Sequence, residues 1–234
     1  MTHRLYFSFQ SPFSWMALRE LEARVPGFAT EFEYIPFWDP DDRTRAGVEQ
    51  YGAKIHYTRM SKAKHLYILH DTKRLASGFG HDLTWPVDVN PWWEPSALGW
   101  LKARESGCER AFYDVVTEVR WNRGADISDP VVLRPALDAA GLEGAALMAA
   151  VDDPHIRELG VQALVSAHRD AVFGIPLFQV GRRRFWGVDR IEEVIDAVED
   201  RRTGSSPDTA ETTTPVAVLA TIGSMDADSP GGCG

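Results

Sequence analysis

Ser11 and Pro12 stand where an alternating apolar run, Leu5 to Phe9, gives way to helical spacing, with Ala17, Leu18, Leu21 and Val25 recurring on one face. A serine oxygen can accept the first free N–H groups of a helix, and a proline at the first helical position gives up no hydrogen bond. The pair sets a hydroxyl at the positive end of a helix dipole, a place that favours an anion such as a thiolate, carboxylate or phosphate. The plainer alternative is a helix cap and nothing more. Two later groups are further candidates: Gly174-Ile175-Pro176 ahead of Leu177 to Val180, and Asp189-Arg190 at the start of a last helix, where Asp189 can simply answer the dipole. Metal chemistry is not expected. Cys108 and Cys233 are too far apart to suggest a disulfide framework or a metal site, and His155 and His168 lack ligand spacing.

These residues need elements to hold them. The first run reads as a strand over residues 4–9, followed by a helix to about Pro26-Gly27 and a second strand from Thr30 to Phe37. The two strands and their helix form a βαβ unit with a right-handed crossover. From Thr44 to Asp170 the pattern is mostly helical, after which come a strand beyond Pro176, a hairpin through Val180-Gly181-Arg182, and a helix from Val188 to Val198. The expected class is α/β: one domain from residues 1–43 and 171–200, an inserted helical domain at 44–170, and a flexible C-terminal tail at 201–234. The tail opens with small polar residues, turns apolar from Val216 to Ile222, and can engage another protein.

Inside the insertion, Lys64 to Leu75 carries an apolar stripe with Tyr67, Asp71 and Arg74 near one face, which also fits a plain surface ion pair. The stretch from Asp82 to Pro95 is the least helical. Its prolines and its tryptophans, Trp85, Trp92 and Trp93, make a stiff aromatic loop that either lines a cleft or seals a seam. A net charge of −9 argues against nucleic acid as a partner. Neither a long apolar run nor a basic, apolar N-terminal signal is present, so no membrane segment and a cytoplasmic location are expected.

Tyr6-Phe7-Ser8-Phe9 with Ser11-Pro12-Phe13-Ser14-Trp15, then Val172 to Pro176, then Phe185 to Arg190, resembles the 2-hydroxychromene-2-carboxylate isomerases and kappa-class glutathione transferases. These belong to the DsbA-like branch of the thioredoxin-like superfamily. The resemblance implies a thioredoxin-like fold with a large helical insertion, a cis bond before Pro176, and glutathione as cofactor. It implies Ser11 as the residue that stabilises the thiolate, in place of the Cys-x-x-Cys of disulfide oxidoreductases. Ile175, Pro176, Asp189 and Arg190 would hold the tripeptide; Phe13, Trp38, Tyr67, Trp85, Trp92 and Trp93 would surround a small aromatic substrate. Ser14 would be replaceable by alanine, and a homodimer is compatible with the family.

This chain departs from the family pattern at Trp38-Asp39-Pro40-Asp41-Asp42, at Glu94-Pro95-Ser96 and at Val188. Two functions therefore stay open. One is a glutathione-dependent isomerase or transferase acting on a conjugated metabolite; the other is a non-catalytic binding or chaperone-like module whose tail engages a partner or is modified.

Overall fold

The apolar run at the start becomes β1 (His3–Phe7), one of the two inner strands of a mixed sheet. Leu5, Tyr6 and Phe7 are fully buried, because this strand is covered on both faces. In a computed structural model, which describes residues 3–55 and 61–204, β1 leads into α1 (Pro12–Arg24), the short α2 (Phe28–Glu31) and β2 (Phe32–Pro36). β2 pairs parallel to β1, from His3 beside Phe32 to Phe7 beside Pro36.

Among the described residues, seven α-helices follow before the sheet resumes: α3 (Asp42–Gln50), α4 (Lys62–Gly78), α5 (Glu94–Glu105), α6 (Glu109–Thr117), α7 (Pro130–Ala139), α8 (Gly144–Met148) and α9 (Pro154–Arg169). Five residues of π-helix, Glu118–Asn122, extend α6. β3 (Leu177–Val180) then pairs antiparallel to β1, and β4 (Arg183–Trp186) antiparallel to β3, giving the order β2-β1-β3-β4. The chain of elements ends in α10 (Ile191–Thr203), entered through a short 3₁₀ turn, Val188–Arg190.

The inserted helices share one continuous core with the sheet. α5 is its axis: from Glu94 to Leu101 every residue is buried. Close approach of α9 to it requires Gly160, where a Cβ would lie 2.6 Å from Leu98 Cδ2 and 3.2 Å from the Trp38 ring. The sheet is tied to the end of α9 by Asp170, which accepts from the Tyr6 hydroxyl at 2.6 Å and from Arg4 at 2.8 Å.

The last helix runs past residue 201, where the tail was expected to start. α10 continues through Thr203 because Arg202 reaches back to the Pro26 carbonyl and the Glu31 carboxylate, and Gly204 closes the helix in the left-handed conformation. The remainder of the expected tail, including Val216 to Ile222 and Cys233, lies outside the described residues. Among those described, no helix is long and apolar enough to cross a membrane.

Candidate functional site

Ser11 caps α1. Its backbone is extended, with φ −99° and ψ 114°, and its Oγ accepts the Ser14 N–H at 3.2 Å. That bond uses a lone pair and leaves the O–H free to donate, so a cap and an anion donor coexist in one hydroxyl. Ser14, expected to be replaceable by alanine with little effect on the anion, has a separate role in the fold. It is fully buried, and its Oγ accepts the Ser8 N–H at 3.3 Å. Ser14→Ala would strand that buried donor and cost about 1 to 3 kcal/mol, visible as a lower denaturant midpoint. An unchanged midpoint would show that the Ser8 amide finds water.

Ile175 and Pro176 come to the same end of the sheet. The last β1–β3 pair is Tyr6 with Leu177, so Pro176 lies one step further, beside the end of β1 from which the Ser11 turn departs. The bond between Ile175 and Pro176 is cis. Ile175 is half-buried and outside the ladder, so its backbone is placed to receive an extended peptide in strand fashion. Gly174 cannot carry a side chain here, since a Cβ would meet the Trp186 indole at 2.3 Å.

The Gly187 N–H donates to the Pro176 carbonyl at 3.0 Å, which ties the Val188–Arg190 turn to the cis-proline strand, and α1 packs against that turn. Asp189 and Arg190 are exposed and pair with each other at 3.5 Å; Arg190 also meets Glu193 at 3.6 Å. Ser11, Ile175, Pro176 and the Asp189 turn are thus gathered at one end of the sheet from three distant stretches of chain.

The aromatic residues divide. Trp92 and Trp93 line a cleft of about 450 Å³ with Asp39, Asp41, Asp42, Asn90 and Glu94. Trp38, placed in the pocket by the sequence reading, belongs to the core instead, packed over Gly160. Trp85 is half-buried and lies edge-on to Trp121, 5.8 Å between centroids, and Phe13 packs against the core. Tyr67 is 64% exposed, on the surface of α4; on the same helix Asp71 and Arg74 form the surface ion pair. The aromatic loop therefore both seals a seam, through Trp85, and lines a cleft, through Trp92 and Trp93.

One residue that the sequence reading missed organises this seam. Arg120, buried in the π-helical turn, lies over Trp93 at 5.0 Å and Trp121 at 4.8 Å, and donates two hydrogen bonds to Asp88 at 2.9 and 2.8 Å. A π-helical insertion of this kind is often retained where a side chain must be aimed. A second cleft, of about 780 Å³, opens between α1, α6 and α7 and includes none of the expected site residues.

Behind the smaller cleft is a buried polar group. Glu94 Oε1 accepts the Asp41 N–H at 2.8 Å, and the Trp38 and Thr44 side chains lie beside the carboxylate as further donors. Asp41 in turn caps α3 and is held by Arg157, which also donates to Thr44 and to the Val151 carbonyl. Burial pushes the Glu94 carboxyl up to about 6, against an ordinary 4.5, and the nearby Asp41 charge adds to the rise. The native state therefore holds this proton more tightly than the unfolded chain. Its stabilising contribution, of about 2 kcal/mol, is complete below pH 4.5 and lost as pH rises through about 6. Denaturant unfolding across this window should show a steeper fall for the unchanged protein than for Glu94→Gln; parallel curves would contradict it.

Residues 4–199 match the family model described as a DSBA-like thioredoxin domain. The chain is 30% identical over 188 residues to a 2-hydroxychromene-2-carboxylate isomerase of Sphingobium xenophagum, covering 80% of this chain and 92% of that protein. A solved 2-hydroxychromene-2-carboxylate isomerase superposes with a TM-score of 0.64 at 21% identity, covering 88% of this chain and all of the other. A cytosolic disulfide reductase, DsbM of Pseudomonas aeruginosa, solved with glutathione, superposes at 0.56 with 15% identity, covering 87% and 98%.

Proposed function

The chain belongs to the DsbA-like thioredoxin-fold family that includes the 2-hydroxychromene-2-carboxylate isomerases, and from that premise we propose that it is a glutathione-dependent isomerase of a small conjugated aromatic metabolite. The observation that carries the reading is the Ser11 hydroxyl, held at a helix start beside the cis-proline strand with its proton uncommitted. Glutathione, when bound, supplies a thiol that adds reversibly to a conjugated double bond and so opens it to rotation.

The fit of the residues to a thiol peptide is good. Ile175 offers backbone outside the ladder, Asp189 and Arg190 stand on the turn bonded to Pro176, and the α1 dipole favours a negative sulfur beside Ser11. Gln10, next to Ser11, is half-buried, and its side-chain Nε2 has no hydrogen-bond partner among the described residues, a donor suited to a ligand carbonyl or carboxylate. Ser11 holds the proton at Oγ and donates it toward the anion. Transfer of the thiol to an electrophile is the neighbouring chemistry of the same site.

Ser11→Ala should lower turnover by about ten- to a hundredfold, the equivalent of about 1.5 to 3 kcal/mol for a hydrogen bond to a charged group. Calorimetric titration should still find glutathione bound through the Ile175 backbone and Asp189. The reporter substrate is 2-hydroxychromene-2-carboxylate, taken from the relative. Equal turnover in Ser11→Ala, or no heat of glutathione binding in the unchanged protein, would contradict the proposal.

A further inference from the structure

The larger cleft, of about 780 Å³, has the size of a small-molecule site, and none of the groups gathered around Ser11 line it. Helical spacing builds it. Trp15, Arg19 and Glu22 share one face of α1, and Arg110, Tyr113, Asp114 and Thr117 share one face of α6. The C-terminal half of α7 adds Ala136, Ala139 and Ala140, which take up little room and give the cleft an apolar side.

Tyr113 is the polar group in this wall that lacks a partner. It is 6% exposed, yet its hydroxyl makes no hydrogen bond among the described residues. The charges that act on it are those of Glu22, Arg110, Asp114 and Arg19, all of them wall residues, so the hydroxyl end of the ring faces the cleft. Burial raises this phenol above its ordinary value; it therefore keeps its proton at neutral pH and is a donor. A nearly buried donor in that state costs free energy unless an acceptor reaches it.

The wall also has a cation to spare. Arg110 answers both Glu22 and Asp114, and Arg123 meets Glu118 at 3.5 Å. Glu22 further accepts the Tyr34 hydroxyl at 2.9 Å. Arg19 forms no ion pair among the described residues: its guanidinium lies over the Trp15 ring at 5.5 Å, and the adjacent Glu20 turns to His81 at 3.1 Å. A guanidinium resting on an indole keeps its N–H groups available to a carboxylate.

We propose that this cleft is a binding site for a planar aromatic carboxylate, with Arg19 and Tyr113 holding the carboxylate oxygens and the alanines of α7 lying against the ring. The site is separate from the thiol site at Ser11, and its occupation does not depend on the glutathione-dependent reading.

The test titrates the full-length protein calorimetrically with naphthalene-2-carboxylate and with naphthalene-2-carboxamide, which share a ring and differ in charge. The acid should bind at least about tenfold more tightly, the worth of a hydrogen bond between charged groups. Arg19→Gln should remove that preference, Tyr113→Phe should weaken both ligands several-fold, and Ser11→Ala should leave both unchanged. Arg19 is exposed, and Tyr113→Phe deletes only an unbonded hydroxyl, so neither variant threatens the fold. Equal binding of acid and amide, acid binding indifferent to Arg19→Gln or to Tyr113→Phe, or acid binding lost in Ser11→Ala, overturns the proposal.

Discussion

Arg120→Met should destabilise the protein by about 3 to 5 kcal/mol, the range for removing one partner of a buried ion pair. Arg120 is 3% exposed and Asp88 keeps 23% exposure, so water can rescue part of the stranded carboxylate and the lower half of that range is expected. Two cation–π contacts, to Trp93 and Trp121, disappear with it and oppose that rescue. Arg120→Lys should recover little, because an ammonium cannot form the paired bonds to Asp88 or stack flat on an indole. Asp88→Asn in the Arg120→Met background should return part of the loss by removing the unpaired charge. Urea unfolding of the three variants measures this; a loss below about 1 kcal/mol for Arg120→Met would mean that the Trp93–Trp121 seam holds without its cation.

Arg157→Met should be as costly, by about 3 to 5 kcal/mol, for a related reason. Its guanidinium binds both Asp41 oxygens at 3.0 and 3.1 Å, Thr44 at 2.8 Å and the Val151 carbonyl at 2.7 and 3.1 Å, so a single side chain joins α3 to the end of the α8 region. Truncation leaves Asp41 charged beside Glu94. Glu94 should then take up its proton at higher pH than before, since the cation that offsets Asp41 is gone. The expected signature is a stability loss that is smaller at acidic than at neutral pH. A loss independent of pH would show that Asp41 turns to water and no longer acts on Glu94.

The features legible in the sequence were local or carried by a family motif. The Ser11-Pro12 helix start is a cap signal read within four residues, and the two-residue turn at Gly181-Arg182 falls where β3 and β4 join. The long helical stretch between the sheet strands was visible in its periodicity. Features that depend on distant partners were not. Arg120 reads as one more charged residue in a helix until Asp88 and two tryptophans are brought around it, and Arg157 meets Asp41 across 116 positions. Helical periodicity gave Tyr67 a face without saying what covers it, and nothing described does. Trp38 and Trp92 look alike in sequence, but the first is held under Gly160 while the second stands at the rim of a cleft. Glu94 reads in sequence as a replaced family residue; its complete burial depends on the fold and has no local signal.

The central claim, that Ser11 stabilises a bound thiolate, is tested most directly by an ultraviolet pH titration of glutathione on the protein. A cysteine-type thiol ordinarily ionises near about 8.5, and a hydrogen bond to the anion of about 1.5 to 3 kcal/mol corresponds to a fall of about one to two pH units. The account predicts thiolate absorbance on the unchanged protein near neutral pH and a midpoint that returns toward the free value in Ser11→Ala, with glutathione still bound. Absence of bound thiolate, or an identical curve in Ser11→Ala, would contradict it.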